Sequence, residues 1–222
     1  MLWSLVVRSS ARSPPAGRRG EPKIEKIACE EISVNMPHRL RGSLDGEPEV
    51  RALGIPMRGR GERMDDTLRA MRALWTMDRR QHHGSSASFS NVASYPRPMQ
   101  HPMPPIVVGG ESPGALQRAI MMGNGWYGFG LTVEQTKQRI ESLRRAEEQH
   151  ERPPELGNLE ITVTPVGVFD KSSVEAYAAA GIHRLVVLPR HEASHTRHNP
   201  VPLDEILRNI GTVAQIVDGA IG

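Results

Sequence analysis

Past about residue 64 the spacing of apolar residues changes repeatedly, and each change marks an element. Met64, Leu68, Met71, Leu74 and Trp75 share one helical stripe, which predicts a helix over about 64–77. Asp65 and Asp66 then occupy its first turn, where the helix dipole favours acids. Ile106, Val107 and Val108 form a short β-branched run, the signature of a strand covered on both faces. Gly109 and Gly110 end it. Ser112 followed by Pro113 is a helix start, a hydroxyl N-cap with proline at the first helical position, and Ala115, Leu116, Ala119 and Met122 repeat at helical spacing behind it. Gly125 to Phe129 reads as a second strand. Thr132 opens a helix to about Gln149 that turns Val133, Thr136, Ile140, Leu143 and Ala146 inward.

Leu159 to Val168 alternates as a strand that Pro165 interrupts or ends. Ser172 or Ser173 caps a short helix to Ala180, which Gly181 ends. Leu185 to Leu188 is a fully apolar strand, and Pro202 to Asp218 is a helix with Leu203, Ile206, Leu207, Ile210, Val213, Ile216 and Val217 inward. From Met64 helices and strands therefore alternate, which predicts an α/β fold with crossovers around a parallel sheet. Four strands are too few to close an eight-stranded barrel.

The rest of the chain is less regular. Glu49 to Leu53 suggests a helical turn, and Asp78 to Met103 reads as a long, polar, proline-rich loop with solvated His82 and His83. Residues 1–46 form a separate stretch: an apolar start, an acid-free segment rich in serine, proline and arginine, then weak strand hints at Ile24, Ile27, Ile32 and Val34. No period there holds long enough to assign an element. The domain reading is thus a poorly ordered or non-native arm over 1–46 and an α/β domain over 47–222.

Composition narrows the chemistry. The charge of +3 comes from arginines scattered among acids, and aromatics are only 4% of the 222 residues, so neither a clustered basic face nor a base-stacking surface for nucleic acid is visible. No apolar run reaches the length needed to span a membrane. With Cys29 as the sole cysteine, an intrachain disulfide is excluded, and a reducing, cytoplasmic setting is expected. Nothing places a catalytic partner beside Cys29, and no metal site is expected. The strand that runs through Gly109 and Gly110 into a helix start presents backbone N–H groups and a positive dipole end, which suits a phosphate; a tight turn whose glycines serve packing alone is the other reading.

Several motifs occur in an order that resembles a known family: EVRALGIP at Glu49 to Pro56, LRAMRALW, YPRPMQHPMPPIVVGG, ALQRA, GNGW and YAAAGIHRLVVLP. Over about Glu47 to Gly222 the chain is similar to the luciferase-like monooxygenases, and more narrowly to actinobacterial-type members that use a deazaflavin. The resemblance implies a TIM barrel and an oxidoreductase that works on a small organic substrate with FMN or the deazaflavin F420, by hydride transfer or monooxygenation. It also implies that Ile106 to Val108 is about the fifth barrel strand and that Val108, Gly109, Gly110, Glu111 and Ser112 contact the cofactor phosphate, Glu111 through its backbone N–H with the side chain turned away. It assigns no catalytic residue.

Against that pattern, only 46 poorly patterned residues stand where about four βα units are expected. The expectation is an incomplete (β/α)8 barrel of about four C-terminal βα units, truncated by a frameshift or false start, with an apolar sheet edge that a homo- or hetero-oligomer covers. The alternative to a working enzyme is a catalytically inactive fragment or associating module. His191, His195 and His198 after the last strand have no spacing suited to a metal, while Arg190 and Arg197 are candidates for an anion of cofactor or substrate.

Overall fold

A computed structural model describes residues 5–9, 24–26, 54, 56–166, 169–187 and 202–221. Its elements, in chain order, are β1 (Leu5–Ser9), β2 (Ile24–Lys26), α1 (Arg60–Thr76), β3 (Arg80–His83), β4 (Ser88–Val92), β5 (Val107–Gly109), α2 (Pro113–Met122), β6 (Gly125–Leu131), α3 (Val133–Gln149), β7 (Glu160–Pro165), α4 (Lys171–Ala179), β8 (Arg184–Val187) and α5 (Leu203–Ile221). The strand–helix alternation expected from β5 onward is present. The chain divides into two compact units, one of residues 1–30, 126–145 and 160–222, the other of residues 31–125 and 146–159.

In the first unit the strand order is β2-β1-β8-β7-β6. β7 and β8 pair in parallel, Thr162 opposite Arg184 and Val163 opposite Leu185, as a βαβ crossover through α4 requires. Val163, Leu185, Trp126 and Val174 form its buried core. Leu131 O accepts from both Val166 N, at 3.1 Å, and the Tyr177 hydroxyl, at 2.5 Å, so α4 is tied to the end of β6 by a buried bond. The α4 N-cap differs from expectation: Asp170 takes that place in a capping box, accepting from Ser173 N while the Ser173 hydroxyl accepts from Asp170 N. Those two bonds satisfy donors that a cap at Ser172 or Ser173 would leave open.

The β8 edge is taken by β1 of the same chain, antiparallel, with Leu5 opposite Val187 and Arg8 opposite Arg184. β2 adds outside it, Val7 opposite Lys26. Strands therefore occur where the first 46 residues offered no sustained pattern, because five- and three-residue strands are too short to establish a period. On α5 the apolar face is narrower than expected: Val217 is buried, whereas Leu203 and Leu207 are exposed.

His183 locks the start of β8 to β7. Its N–H donates to Ile161 O at 2.9 Å, and its Nδ1 accepts from Ile161 N at 3.0 Å, so Nδ1 carries no proton. Burial holds the imidazole pKa below the ordinary 6.5, against a raising influence of Glu160. A depressed native pKa means that this contribution to stability is complete above pH 6.5 and is lost as the pH falls through the lower native value. Urea midpoints are expected to drop between pH 7.5 and 5.5, and less steeply in His183→Asn, whose amide oxygen accepts the same bond without titrating. Equal slopes in both proteins would refute the assignment.

In the second unit α1 begins earlier than the apolar stripe suggested, at Arg60, and Leu68, Ala70 and Ala73 are its buried apolar face. The segment expected to be a loop holds a two-stranded hairpin, β3 with β4, in which His82 lies opposite Phe89 and His83 opposite Ser88. Cross-strand pairing forms it despite polar side chains that give no alternation. The Arg118 guanidinium joins α2 to α1, with Nε 2.5 Å from Asp65 Oδ1 and Nη2 donating to Gly61 O at 3.1 Å. The turn at Glu49 to Leu53, Cys29, and the cluster His191, His195, His198, Arg190 and Arg197 lie outside the described residues.

Candidate functional site

The β5–α2 turn is built from its glycines outward. Val108 is buried at the centre of β5, Gly109 ends the strand, and Gly110 adopts φ 111°, a conformation that side chains rarely tolerate. Ser112 follows in extended geometry and caps α2, its hydroxyl accepting from Ala115 N at 3.3 Å. Pro113 occupies the first helical position, as expected. Glu111 and Ser112 are exposed, and a Cβ placed on Gly114 would meet nothing within 4 Å, so the helix start faces open space. Backbone N–H groups at a helix start, a positive dipole end and room beside them suit an oxyanion.

The entry to the strand that feeds this turn is pinned. Asn124 Oδ1 accepts from Ile106 N at 2.9 Å, while Asn124 N and Gly125 N both donate to Ile106 O, at 2.7 and 3.2 Å. A Cβ on Gly123 would press against Ala119 O, Val108 Cγ2 and Gly125 O at 3.0–3.1 Å. The GNG of the GNGW motif is thus a packing device that positions β5 and α2.

The far end of α2 is held by Arg152. Its Nη1 donates to Ala119 O and Ile120 O at 3.2 and 2.8 Å, Nε to Gly157 O at 2.7 Å and Nη2 to Leu156 O at 3.3 Å. Two of those acceptors are carbonyls in the last turn of α2, where a cation also meets the negative dipole end.

A buried carboxylate was missed from sequence. Asp66 stands in the second turn of α1, where it accepts from Ser86 N at 2.6 Å and Ala87 N at 3.0 Å through Oδ2, and from His82 Nε2 at 2.8 Å through Oδ1. The Ser86 N–H, foremost, holds its carboxyl below the usual 3.8, against desolvation. His82 is accordingly bonded and largely buried, unlike the solvated loop residue expected. The available signal was a second acid following Asp65 on a helix whose apolar stripe runs beside it; its partners lie 16–21 residues away.

In the first unit Tyr127 and Thr164 share a 2.7 Å hydroxyl pair, and burial pushes the Tyr127 phenol up, so it stays protonated and can donate. No group of three or more His, Cys, Asp or Glu among the described residues could hold a metal ion. Among the same residues no helix is long and apolar enough to cross a membrane.

The profile of the luciferase-like monooxygenase family matches residues 42–213. Over 135 residues the chain is 29% identical to the FMNH(2)-dependent dimethylsulfone monooxygenase of Pseudomonas putida, covering 60% of this chain and 36% of that protein. Over 83 residues it is 31% identical to the oxygenase component of the flavin-dependent trigonelline monooxygenase of Acinetobacter baylyi, 37% of this chain and 23% of the relative. The crystal structure of monooxygenase RslO1 from Streptomyces bottropensis aligns with 78% of this chain and 47% of its own at 21% identity and a TM-score of 0.44. The chain spans less than half the length of each of these three proteins.

Proposed function

Since the chain belongs to the luciferase-like monooxygenase family, we propose that it acts as a flavin- or deazaflavin-dependent oxidoreductase, or as the part of one that grips the cofactor phosphate. Val108, Gly109, Gly110, Glu111 and Ser112 would hold that phosphate. The observation that carries the reading is the pinned strand passing through Gly110, at φ 111°, into the open start of α2. The FMNH(2)-dependent relative from P. putida supports FMN, and the motif resemblance supports F420 alongside it.

When bound, the cofactor supplies the redox chemistry, hydride transfer or oxygen activation towards a small organic substrate. The work of this chain is to bind and orient. Pro113 has no N–H, and Ala115 N and Leu116 N are taken by Ser112, so Gly114 N would meet the phosphate, steadied because Asn124 holds the entry to β5 and Arg152 the end of α2. With Glu111 exposed, its side chain can stay in water while its backbone borders the phosphate. Within this reading the chain is about four C-terminal βα units of an incomplete barrel.

Titration with FMN and, in parallel, F420, followed by cofactor fluorescence, tests this. Binding of one of them at about 10–50 μM is expected. Gly110→Ala, which forces a side chain into a left-handed conformation, is expected to weaken it about tenfold. A folded chain that binds neither cofactor would refute the proposal and favour an inactive fragment or associating module.

A further inference from the structure

The two faces of the β6, β7 and β8 sheet in the first unit differ in chemistry. Trp126, Ile161, Val163 and Leu185 are buried on one of them. On the other lie Glu160, Thr162 and Thr164 of β7, Arg184 of β8, and Tyr127 and Phe129 of β6. Arg184 stands opposite Thr162, Tyr127 reaches Thr164, and the Tyr127 and Phe129 ring centres are 6.5 Å apart. Parallel strands covered on both faces are ordinarily apolar on both, yet this face carries hydroxyls, an ion pair and rings, although Thr162, Thr164 and Arg184 are buried.

Its charges cancel. Glu160 and Arg184 are the only ionised side chains on these three strands, and they meet at 2.8 Å. Its hydroxyls do not cancel. Tyr127 and Thr164 lie 2.7 Å apart and carry two hydrogens, of which their mutual bond uses one, and neither hydroxyl has another partner among the described residues. Thr164 is the deeper of the two, 3% exposed, so its hydrogen finds an acceptor inside, on the phenol oxygen. The hydrogen left over belongs to Tyr127, which is partly exposed. Apolar side chains stand in water on the same strands: Phe129, on the Tyr127 face, is 38% exposed, and Val166, just past β7, 47%.

We infer that Tyr127 donates this hydrogen to the carbonyl oxygen of a small, uncharged organic molecule, a ketone, aldehyde or amide, whose apolar part covers Phe129. The inference rests on the oxidoreductase reading for that molecule's being the substrate. An uncharged ligand fits because Glu160 and Arg184 already satisfy each other. A carbonyl fits because the phenol oxygen already accepts from Thr164, so the site offers a donor and calls for an atom that only accepts. Thr164 also polarises the phenol towards the ligand, since hydrogen bonds in a chain strengthen one another.

NMR titration of the full chain with acetophenone, and with ethylbenzene as a similar shape lacking the oxygen, tests this. Acetophenone is expected to bind at about 1 mM. Tyr127→Phe keeps the ring and should weaken acetophenone about fivefold while leaving ethylbenzene unchanged, which also shows that the variant is folded. Thr164→Val should weaken acetophenone about twofold and spare ethylbenzene. Phe129→Ala should weaken both ligands alike. No binding of acetophenone, equal affinity in wild type and Tyr127→Phe, or a parallel loss of both ligands in Tyr127→Phe would overturn the inference. Cofactor binding is read separately. A chain that takes up FMN or F420 and gives one of those results keeps the oxidoreductase reading and loses this site; one that holds acetophenone through Tyr127 but binds neither cofactor keeps the site and loses that reading.

Discussion

Gly84→Ala is expected to lower the urea midpoint sharply and to release the β3–β4 hairpin from α1. A Cβ at this position would overlap the Asp66 carboxylate, all three outer atoms of which crowd the site. The carboxylate cannot withdraw freely. It is held by Ser86 N, Ala87 N and His82 Nε2, and moving it strands two backbone donors in the turn Gly84 itself begins, where Gly84 N donates to Ala87 O at 2.9 Å. Overpacking at such a site costs about 2–3 kcal/mol. Asp66→Ala alone should also destabilise, by leaving those donors unpaired.

The double variant separates this mechanism from a general intolerance at residue 84. In the Asp66→Ala background the added Cβ has room, so Gly84→Ala should cost only a small fraction of its wild-type effect. Strong non-additivity of that sign is the mark of two groups in direct contact. Additive losses would show that Gly84 is required for its backbone and not for the carboxylate.

That glycine and its acid show which parts of the molecule can be read along the chain. β5, β6, β7, β8 and the helices between them were legible because each buries a continuous or periodic set of residues. Ile106 and Val108, Ile140 and Leu143, Val163 and Leu185 are all buried where the spacing placed them. The Ser112–Pro113 start of α2 was legible for a second reason, since cap chemistry is local and needs only three neighbouring residues.

What could not be read depends on partners distant in sequence. Asp66 looked like a dipole-favoured surface acid because its hydrogen bonds come from residues 82–87. The hairpin itself carries charged, polar and aromatic residues without alternation, so nothing separated RQHH and SFSNV from a loop. On α5 the failure ran the other way. Leu203 and Leu207 have the right period for a buried stripe, yet periodicity reports only that a face is apolar, not that this chain covers it. In the candidate site, the glycine turn was visible and the devices that stiffen it, Asn124 and Arg152, were not.

Arg152→Ala is expected to loosen α2 from its C-terminal end and to cost about 3 kcal/mol, or roughly 6–12 °C in Tm for a chain of this size. One planar guanidinium meets four carbonyl oxygens here, two on α2 and two on the short turn that follows Pro154. Alanine removes every one of these donors, and of the last-turn carbonyls of α2 Ala119 O keeps only Gly123 N while Ile120 O loses the guanidinium. Arg152→Lys keeps the charge near the negative end of the helix but replaces the fork with a single ammonium, so it should recover less than half of the loss. Hydrogen exchange gives the decisive readout: amides in the last turn of α2 should exchange faster in both variants, while those of β7 and β8 should change only as far as global stability does. If the β5–α2 turn holds a cofactor phosphate, the same variants weaken cofactor binding without touching the turn, since a helix free to shift at one end no longer presents its other end rigidly. A protected α2 in Arg152→Ala would show that the helix is held by its apolar face alone, Ala115, Leu116, Ala119 and Ile120.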